Sequence, residues 1–450
     1  MAIAVVLILL VVGSVIFHFW SPWWFTPIAS NWGMIDDTVN LTFWVTGIVF
    51  VLVNLFMAYC IIRFRHRKGN KAAYEPENKK LEIWLTVVTS IGVAAMLAPG
   101  LLVWAKVVTV PEGAMEVEAV GQQWAWSYRY PGKDGVFGTT SIKFVTAKNP
   151  FGVDPGDPNG QDDVLVDGKH MHLPMGQPAK LLLRSKDVLH NFTVPQFRVK
   201  MDLVPGMVSY IWLTPTRTGQ FDVLCEELCG LAHFAMRSKV VVQEQRDFDA
   251  WLATQPTFAG ATERMEPDLA SGQAAYAVCS ACHGVQGEGN PVLNAPKLAG
   301  LNSWYVEQQL KNYKSGARGY HEEDIYGRQM APMANTLVDD RAVANVAAYI
   351  ATLPERRVSD TIIGNTRRGK DLYRTCATCH GGEGDGIWST HAPRLKNMDD
   401  WYLKRQLENF KSGVRGSHPQ DPYGQQMVLM APVLGDEQAI DDLVAYLGVL

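Results

Sequence analysis

The sequence predicts a multidomain chain made of an α-helical membrane hairpin with a further apolar segment before it, a β-sandwich, and two small all-α domains in tandem. Three observations carry this. Charge-free apolar runs crowd the first 105 residues and then cease; residues 106 to about 245 cluster β-branched and aromatic residues between Pro and Gly; and residues 271–450 repeat with a period of 97 (376 − 279 = 97 for the first Cys of each copy). A chain of 450 residues also exceeds what one ordinary core holds. The formal net charge is −4, and no basic block is interleaved with aromatics, so the composition supports no nucleic-acid partner.

The hairpin comes first in the argument. The runs from Leu41 to Ile62 and from Ile83 to Ala105 carry no charge, and each exceeds the roughly 20 residues a helix needs to cross a bilayer. Between them, "RFRHRKGNKAAYEPENKK" holds seven Lys or Arg, whereas residues 21–40 hold none. The positive-inside rule places this loop in the cytoplasm and everything after Ala105 on the outer side. The hairpin spans 38–106. Residues 1–20 read as an additional N-terminal helix or an uncleaved signal; the absence of an opening Lys or Arg and of a small-x-small cleavage site favours the retained helix.

Residues 107–255 alternate as short strands in "AMEVEAVGQQWAWSYRY", "AKLLLRSKDVLHNFTVP" and "RSKVVVQ", which predicts an antiparallel sandwich. The carboxylates of "NPFGVDPGDPNGQDDVLVDG" read as solvated turns rather than a calcium site. A linker at 256–270 leads into the repeat, with copies at 271–355 and 365–450. "WYVEQQLKNYKSGARG" and "WYLKRQLENFKSGVRG" are the same amphipathic helix with a Gly-punctuated end.

Seven cysteines follow a pattern. Cys60 lies alone in an apolar run, where it is a small packing residue. The other six form three pairs on the side where free thiols oxidise. "CSACH" (Cys279, Cys282, His283) and "CATCH" (Cys376, Cys379, His380) carry the C-x-x-C-H spacing of c-type haem attachment, in register in both copies. Zinc would need a second knuckle, for which only His321 and His418 recur. The other axial ligand should recur too: Met330 or Met333, matched by Met427 or Met430, with His321 and His418 as competitors.

The third pair lies in "VLCEELCGLAHFAM", which sets Cys225, Cys229, His233 and Met236 within twelve residues. Two thiolates, an imidazole and a thioether form a soft set that suits copper, and the Met argues against zinc. His190, 35 residues before Cys225 at a strand end, supplies a further ligand. Two Cys four apart on one loop can bridge two coppers, which makes this a CuA centre; a disulfide is the alternative when copper is absent.

On these residues, 40–245 resemble subunit II of the haem-copper oxidases, a membrane hairpin followed by a cupredoxin sandwich with the motif C-x-E-x-C-x-x-x-H-x-x-M. The two copies resemble class I cytochrome c domains, as in dihaem bacterial cytochromes c, whose ligand spacing selects Met330 and Met427. Fusions of this kind resemble caa-type cytochrome c oxidases, usually with one cytochrome domain. The resemblance implies a dinuclear copper bridged by Cys225 and Cys229 with His190, His233, Met236 and the Glu227 carbonyl, and two covalent haems c. It also implies magnesium through the Glu227 carboxylate at the border with subunit I, Trp124 as the point where electrons come in, and Glu82 at the mouth of a proton-uptake channel. The aromatic residue the family has after Trp124 is Ala125 here.

The expected partners are subunit I and subunit III, an electron donor such as a cytochrome c or a quinol-oxidising complex, and membrane lipid. The expected location is a bacterial cytoplasmic membrane, spanned more than once, with the copper and haem domains on the periplasmic side. The remaining histidines (His18, His66, His170, His172, His321, His391 and His418) make no membrane cluster fit for an oxygen-reducing site, so oxygen reduction belongs to subunit I. His170 and His172 read as exposed strand residues. The alternatives are the corresponding subunit of a CuA-type nitric oxide reductase, or a free membrane-tethered dihaem/CuA electron carrier.

Overall fold

The computed structural model describes residues 2–21, 25–69, 71, 76–146, 149–167, 170–262, 267–358 and 360–450. Three of its helices are long and apolar enough to cross a membrane: α1 (Ala2–Trp20), α2 (Gly33–Arg63) and α3 (Lys79–Val108). At about 1.5 Å per residue, α2 and α3 each exceed the roughly 30 Å hydrocarbon layer. Leu52, Phe56, Leu85 and Leu101 are exposed on them, as side chains facing lipid are. The Asn78 side chain caps α3 by accepting from the Leu81 N–H at 3.1 Å. The loop of the hairpin lies partly outside the described residues.

The root of α2 is clamped to the domain above it. The Trp32 indole N–H donates to the Trp212 carbonyl at 2.9 Å, and Trp212 donates to the Lys106 carbonyl at the end of α3 at 3.2 Å. The Arg198 guanidinium grips both oxygens of Asp36 at 2.6 and 2.8 Å, a bidentate geometry that fixes direction as well as distance. The membrane helices and the sandwich are thus joined at several points.

The sandwich has ten strands: β1 (Met115–Gln122), β2 (Ala125–Tyr130), β3 (Val164–Asp167), β4 (Met171–Pro174), β5 (Ala179–Ser185), β6 (His190–Val194), β7 (Val199–Leu203), β8 (Val208–Leu213), β9 (Gly219–Leu224) and β10 (Arg237–Gln243). They form two sheets, in the orders β3-β2-β1-β5-β8 and β4-β10-β9-β6-β7. The expected purely antiparallel pairing is corrected at two places: β5 runs parallel to β1 and β4 parallel to β10. The chain leaves the first sheet after β3, adds β4 to the second, and returns with β5 in the direction of β1. Alternation along β5 buries Ala179, Leu181, Leu183 and Ser185 and turns the others outward, the period-2 pattern of a strand with one face on the core. Two short helices, α4 (Gln245–Leu252) and α5 (Phe258–Thr262), close the edge by burying Phe248 and Phe258. His172 is not an exposed strand residue: its ring stacks on Trp251 at 3.8 Å, and Nδ1 meets the Gln243 side chain.

Each cytochrome-like copy is a four-helix unit. The first has α6 (Leu269–His283), α7 (Ser303–Lys314), α8 (Ile325–Ala334) and α9 (Asp340–Ala351); the second has α10 (Thr366–His380), α11 (Asp400–Ser412), α12 (Pro422–Met430) and α13 (Glu437–Val449). The first and last helices of each copy cross at a glycine. A Cβ on Gly272 would strike the Asn345 carbonyl, and one on Gly369 the Asp442 carbonyl, so only glycine allows the approach. Beside these crossings Tyr276 and Tyr349 lie 5.5 Å apart at 52°, and Tyr373 and Tyr446 lie 5.6 Å apart at 53°. The sequence repeat is therefore a repeat of packing.

Candidate copper and haem centres

The sandwich brings His190 to the end where the loop carrying Cys225, Cys229, His233 and Met236 lies. Cys225 follows the last residue of β9, His190 opens β6, and the loop from 225 to 236 returns into β10. The two sulfurs lie 3.8 Å apart. His190 Nδ1 stands 3.9 Å from the Cys225 sulfur, His233 Nδ1 3.5 Å from that of Cys229, and the Met236 sulfur 3.9 Å from that of Cys229. The Glu227 carbonyl lies 3.3 Å from the Cys225 sulfur. His190, Met236 and both cysteines are buried, so water does not compete for these donors.

Charge is arranged for a cation. Contact between the sulfurs holds the Cys225 thiol well below its ordinary range and pushes Cys229 up, so the pair shares one proton until a metal displaces it. Burial would lower His190, but Asp187, 2.7 Å from Nε2, lifts it above its usual value and turns Nδ1 toward the sulfurs. The donor set is soft and desolvated, which fits copper. Among the described residues, His190, Cys225 and Cys229 form the one His/Cys/Asp/Glu group close enough to hold a metal.

The second pair of centres occupies one continuous cavity. Cys279, Cys282 and His283 line it from the first copy, and Cys376, Cys379 and His380 from the second. All four thiols are free. His283 Nδ1 donates to the Pro296 carbonyl at 2.7 Å, and His380 Nδ1 to the Pro393 carbonyl at 2.7 Å, which leaves each Nε2 for a metal. Burial lowers both imidazoles, so they are neutral and ready to ligate. Met330 packs on the core of the first copy, whereas Met333 is 40% exposed. Met333, Met427 and Met430 line the cavity as well, and Met430 is also packed against the sandwich. His321 and His418 are absent from the lining and instead accept backbone N–H bonds from Glu323 and Gln420 in their own turns.

Two residues that the spacing did not single out complete this cavity. Arg318 and Arg415 are buried in it, each with an Nε that has no partner among the described residues. Their other nitrogens meet neutral groups, Tyr402 and Gln309 for Arg318, Tyr305 and Gln406 for Arg415. Two buried guanidiniums with orphaned donors call for carboxylates, and the propionates of two haems meet that need. The signal was present in the shared "KSGARG" and "KSGVRG" segments, where the same Arg recurs.

Trp124 lies where the copper and haem regions meet. It is 3% exposed, lines the haem cavity, and donates its indole N–H to the Cys229 carbonyl at 3.3 Å. Gly230 makes room for it: its φ of +118° and the 3.1 Å from a Cβ to the indole ring exclude a larger residue. From the second copy, Gln426 Nε2 donates to the Trp124 carbonyl at 2.9 Å, the Gln122 side chain donates to the Ser389 carbonyl, and Cys379 packs on the sandwich core. Glu82 lies far from these centres, exposed in the first turn of α3.

Comparison with known proteins agrees with this geometry. Residues 115–244 match the family described as cytochrome c oxidase subunit II, periplasmic domain, and residues 269–354 and 366–450 each match cytochrome c. The chain is 61% identical over 264 residues to an alternative cytochrome c oxidase subunit 2 of Bradyrhizobium diazoefficiens, covering 59% of this chain and 95% of that one. It is 29% identical over 235 residues to cytochrome c oxidase subunit 2 of Cereibacter sphaeroides, covering 50% of this chain and 77% of that one. A solved cytochrome c4 from Pseudomonas stutzeri is 28% identical, with 41% of this chain and 99% of that one covered and a TM-score of 0.34. With the membrane helices, the sandwich and both cytochrome c units accounted for, the chain belongs to the cytochrome c oxidase subunit 2 family.

Proposed function

We propose that this chain is the electron-accepting subunit of a membrane-bound haem-copper oxygen reductase, which it joins through subunit I. The observation that carries the reading is the junction at Trp124, where one side chain touches both the cysteine ligand loop and the haem cavity. When bound, the two haems and the copper pair supply one-electron redox chemistry.

The residues hold and shield that chemistry. Cys225, Cys229, His190, His233, Met236 and the Glu227 carbonyl would hold the copper pair. Cys279, Cys282, His283 and Met330 would hold one haem, and Cys376, Cys379, His380 and Met427 the other. The packing of half-buried Met330 on the core of its own domain supports this choice over the more exposed Met333. Arg318 and Arg415 would pair with the haem carboxylates. The clamp at Trp32, Trp212 and Arg198 fixes the sandwich over the membrane helices, as delivery of electrons to a membrane partner requires.

Finer assignments follow from the same reading. The Glu227 carboxylate supplies one oxygen to a magnesium ion at the border with subunit I, and Glu82 takes up protons from the cytoplasmic side. Subunit III and lipid surround the helices, and the copper and haem domains face the periplasm. A cytochrome c or a quinol-oxidising complex is the donor.

The test is purification of the tagged chain from native membranes with its partners, followed by oxygen and nitric oxide consumption under one small-molecule donor. Oxygen uptake that is lost in Cys225→Ser establishes the oxidase. Nitric oxide turnover without oxygen uptake moves the chain to the reductases, and neither activity in a haem-loaded sample makes it a free carrier.

A further inference from the structure

The two cytochrome copies set the same peptide group against their histidines but hold it differently. In the first copy the Pro296 carbonyl accepts from His283 Nδ1 at 2.7 Å, and the N–H of that same peptide, belonging to Lys297, donates to a carboxylate oxygen of Asp399 in the second copy at 2.7 Å. In the second copy the Pro393 carbonyl accepts from His380 Nδ1 at 2.7 Å, and the Arg394 N–H donates to the side-chain carbonyl of Asn302 in the first copy at 3.3 Å. Asp399 and Asn302 stand one period apart (399 − 302 = 97), as do Lys297 and Arg394 (394 − 297 = 97). Each histidine is therefore braced by a peptide that the other copy holds, once through a charged acceptor and once through a neutral one.

The rest of the two settings is matched. The Tyr276 hydroxyl donates to the Gly284 carbonyl at 2.7 Å and that of Tyr373 to the Gly381 carbonyl at 2.6 Å. The backbone carbonyls of His283 and His380 accept from Gly289 and Gly386 at 2.8 and 2.9 Å. The side chains of Lys297 and Arg394 both meet Glu355, at 3.5 and 2.9 Å, so that carboxylate does not tell the copies apart. Asp399 is buried; burial raises its carboxyl, and the Lys297 N–H and ammonium oppose this by favouring the charged form.

We infer that Asp399 is a positioning residue for the haem ligand of the other copy: it polarises the Pro296–Lys297 peptide, strengthens the hydrogen bond from His283, and sets the haem of the first copy at a lower midpoint potential than that of the second. Hydrogen bonds in a chain polarise one another, and those to an ionised group are the stronger. A carboxylate on the N–H side shifts electron density onto the carbonyl, which draws the Nδ1 proton and makes the imidazole a stronger donor to iron. That favours the oxidised state, and the neutral amide of Asn302 does the same for His380 more weakly. An electron on the first copy is thus drawn toward the second, which rests on the copper-binding sandwich, one iron being oxidised as the other is reduced. The inference rests on the reading of His283 and His380 as haem ligands.

The test is an optical potentiometric titration of the full chain in its purified complex, with covalent haem counted in each sample from its alkaline pyridine spectrum. Asp399→Asn is expected to raise the lower of the two haem potentials and leave the higher in place, a shift in the redox equilibrium of about threefold, which at about 59 mV per tenfold change is roughly 30 mV. Asn302→Asp lowers the higher potential and leaves the lower, and the double variant Asn302→Asp/Asp399→Asn opens the gap again. Asn302→Asp carries the test by itself if Asp399→Asn does not assemble. Asp400→Asn removes a neighbouring buried carboxylate that accepts from Thr361 and Ile362 instead of the Lys297 peptide, and leaves both potentials where they were. The inference is overturned if the lower potential does not move in Asp399→Asn, if the higher does not move in Asn302→Asp, or if Asp400→Asn produces an equal rise, since charge would then act through space and not through the peptide. Two haems per chain with unmoved potentials count against Asp399 alone, whereas a chain without covalent haem counts against His283 and His380 as ligands.

Discussion

Arg318 of the first cytochrome domain donates to the Tyr402 hydroxyl of the second at 2.9 Å, and Arg415 of the second returns the contact to Tyr305 of the first at 3.1 Å. The two domains therefore exchange buried cations across a pseudo-twofold boundary. Among the described residues, no carboxylate side chain is a hydrogen-bond partner of either, and each has an unpartnered Nε in the haem cavity. A positive charge beside a haem favours the reduced state. Arg318→Gln, which removes the charge and keeps some hydrogen bonding, is expected to lower the midpoint potential of one haem in a potentiometric titration, with Arg318→Lys intermediate. Loss of a charged hydrogen bond of about 1.5–3 kcal/mol also lowers the unfolding temperature. Unchanged potentials in Arg318→Gln would mean that the guanidinium does not face the haem carboxylates.

The copper loop makes a prediction about metal removal. The sulfurs of Cys225 and Cys229 are 3.8 Å apart, and a disulfide needs about 2.05 Å, a closure of under 2 Å in a loop that connects two strands. With Cys225 held as a thiolate, chelation followed by exposure to oxygen should convert the pair to a disulfide. Counting alkylatable thiols by mass shift checks this: two are lost on oxidation of the stripped chain, and none of the two reacts while copper is bound. Met236→Leu keeps both cysteines and is expected to retain copper at reduced affinity, while His233→Ala loses it.

Much of this was legible because ligand chemistry repeats at fixed spacing. C-x-x-C-H identifies its own role, and the twelve residues from Cys225 to Met236 name a soft metal without reference to the fold. His190 was legible only as a strand-end histidine; its placement 3.9 Å from Cys225 depends on β6 and β9 being neighbours, which spacing does not encode. The parallel pairings of β1 with β5 and of β4 with β10 were invisible for the same reason, since alternation sets which face is buried and not which strand lies alongside. Trp124 looks like a core tryptophan in sequence and is one, yet it also borders the haem cavity. That second property arises from the docking of a domain about 300 residues away, through Gln426.

Docking of the second cytochrome domain on the sandwich rests on few polar contacts. Gln426 to the Trp124 carbonyl and Gln122 to the Ser389 carbonyl are two of them, each worth about 1 kcal/mol. The double variant Gln122→Ala/Gln426→Ala should therefore loosen the domain without unfolding either unit. Amide exchange is expected to rise at the β1–β2 turn and in α12, with copper and haem content unaltered. Exchange identical to that of the unaltered chain would show that apolar contact through Cys379 and Met430 suffices.

The crossings of first and last helices predict a pH dependence. In the first copy Asp268 caps α6 and Asn345 accepts the Asp268 N–H at 2.9 Å; in the second the types are exchanged, with Asn365 as the cap and Asp442 accepting its N–H at 2.7 Å. Ser271 holds the Asp268 carboxyl below its usual range, and the Asn365 N–H does so for Asp442. A carboxyl with a depressed folded value contributes stability that is present above its unfolded value of about 3.9 and is lost as pH falls through the lower folded value. Both copies should therefore lose thermal stability below about pH 4. Asp268→Asn with Asp442→Asn should flatten the dependence between pH 5.5 and 3, and either change alone should remove part of it.

Glu82 tests whether the membrane helices do more than anchor. It lies in the first turn of α3, two residues after Lys80 and one before the charge-free run that begins at Ile83, so it marks the edge of that apolar run. Its side chain is exposed, and its carbonyl accepts from the Thr86 hydroxyl at 2.8 Å within the helix, so the carboxylate has no structural partner to lose in this contact. An interfacial anchor tolerates a neutral isostere, whereas a group that takes up protons does not. Glu82→Gln is therefore expected to slow oxygen turnover about tenfold while copper content and haem content stay as they were. Glu82→Asp restores part of the rate. Turnover equal to that of the unaltered complex in Glu82→Gln would assign this residue to anchoring alone.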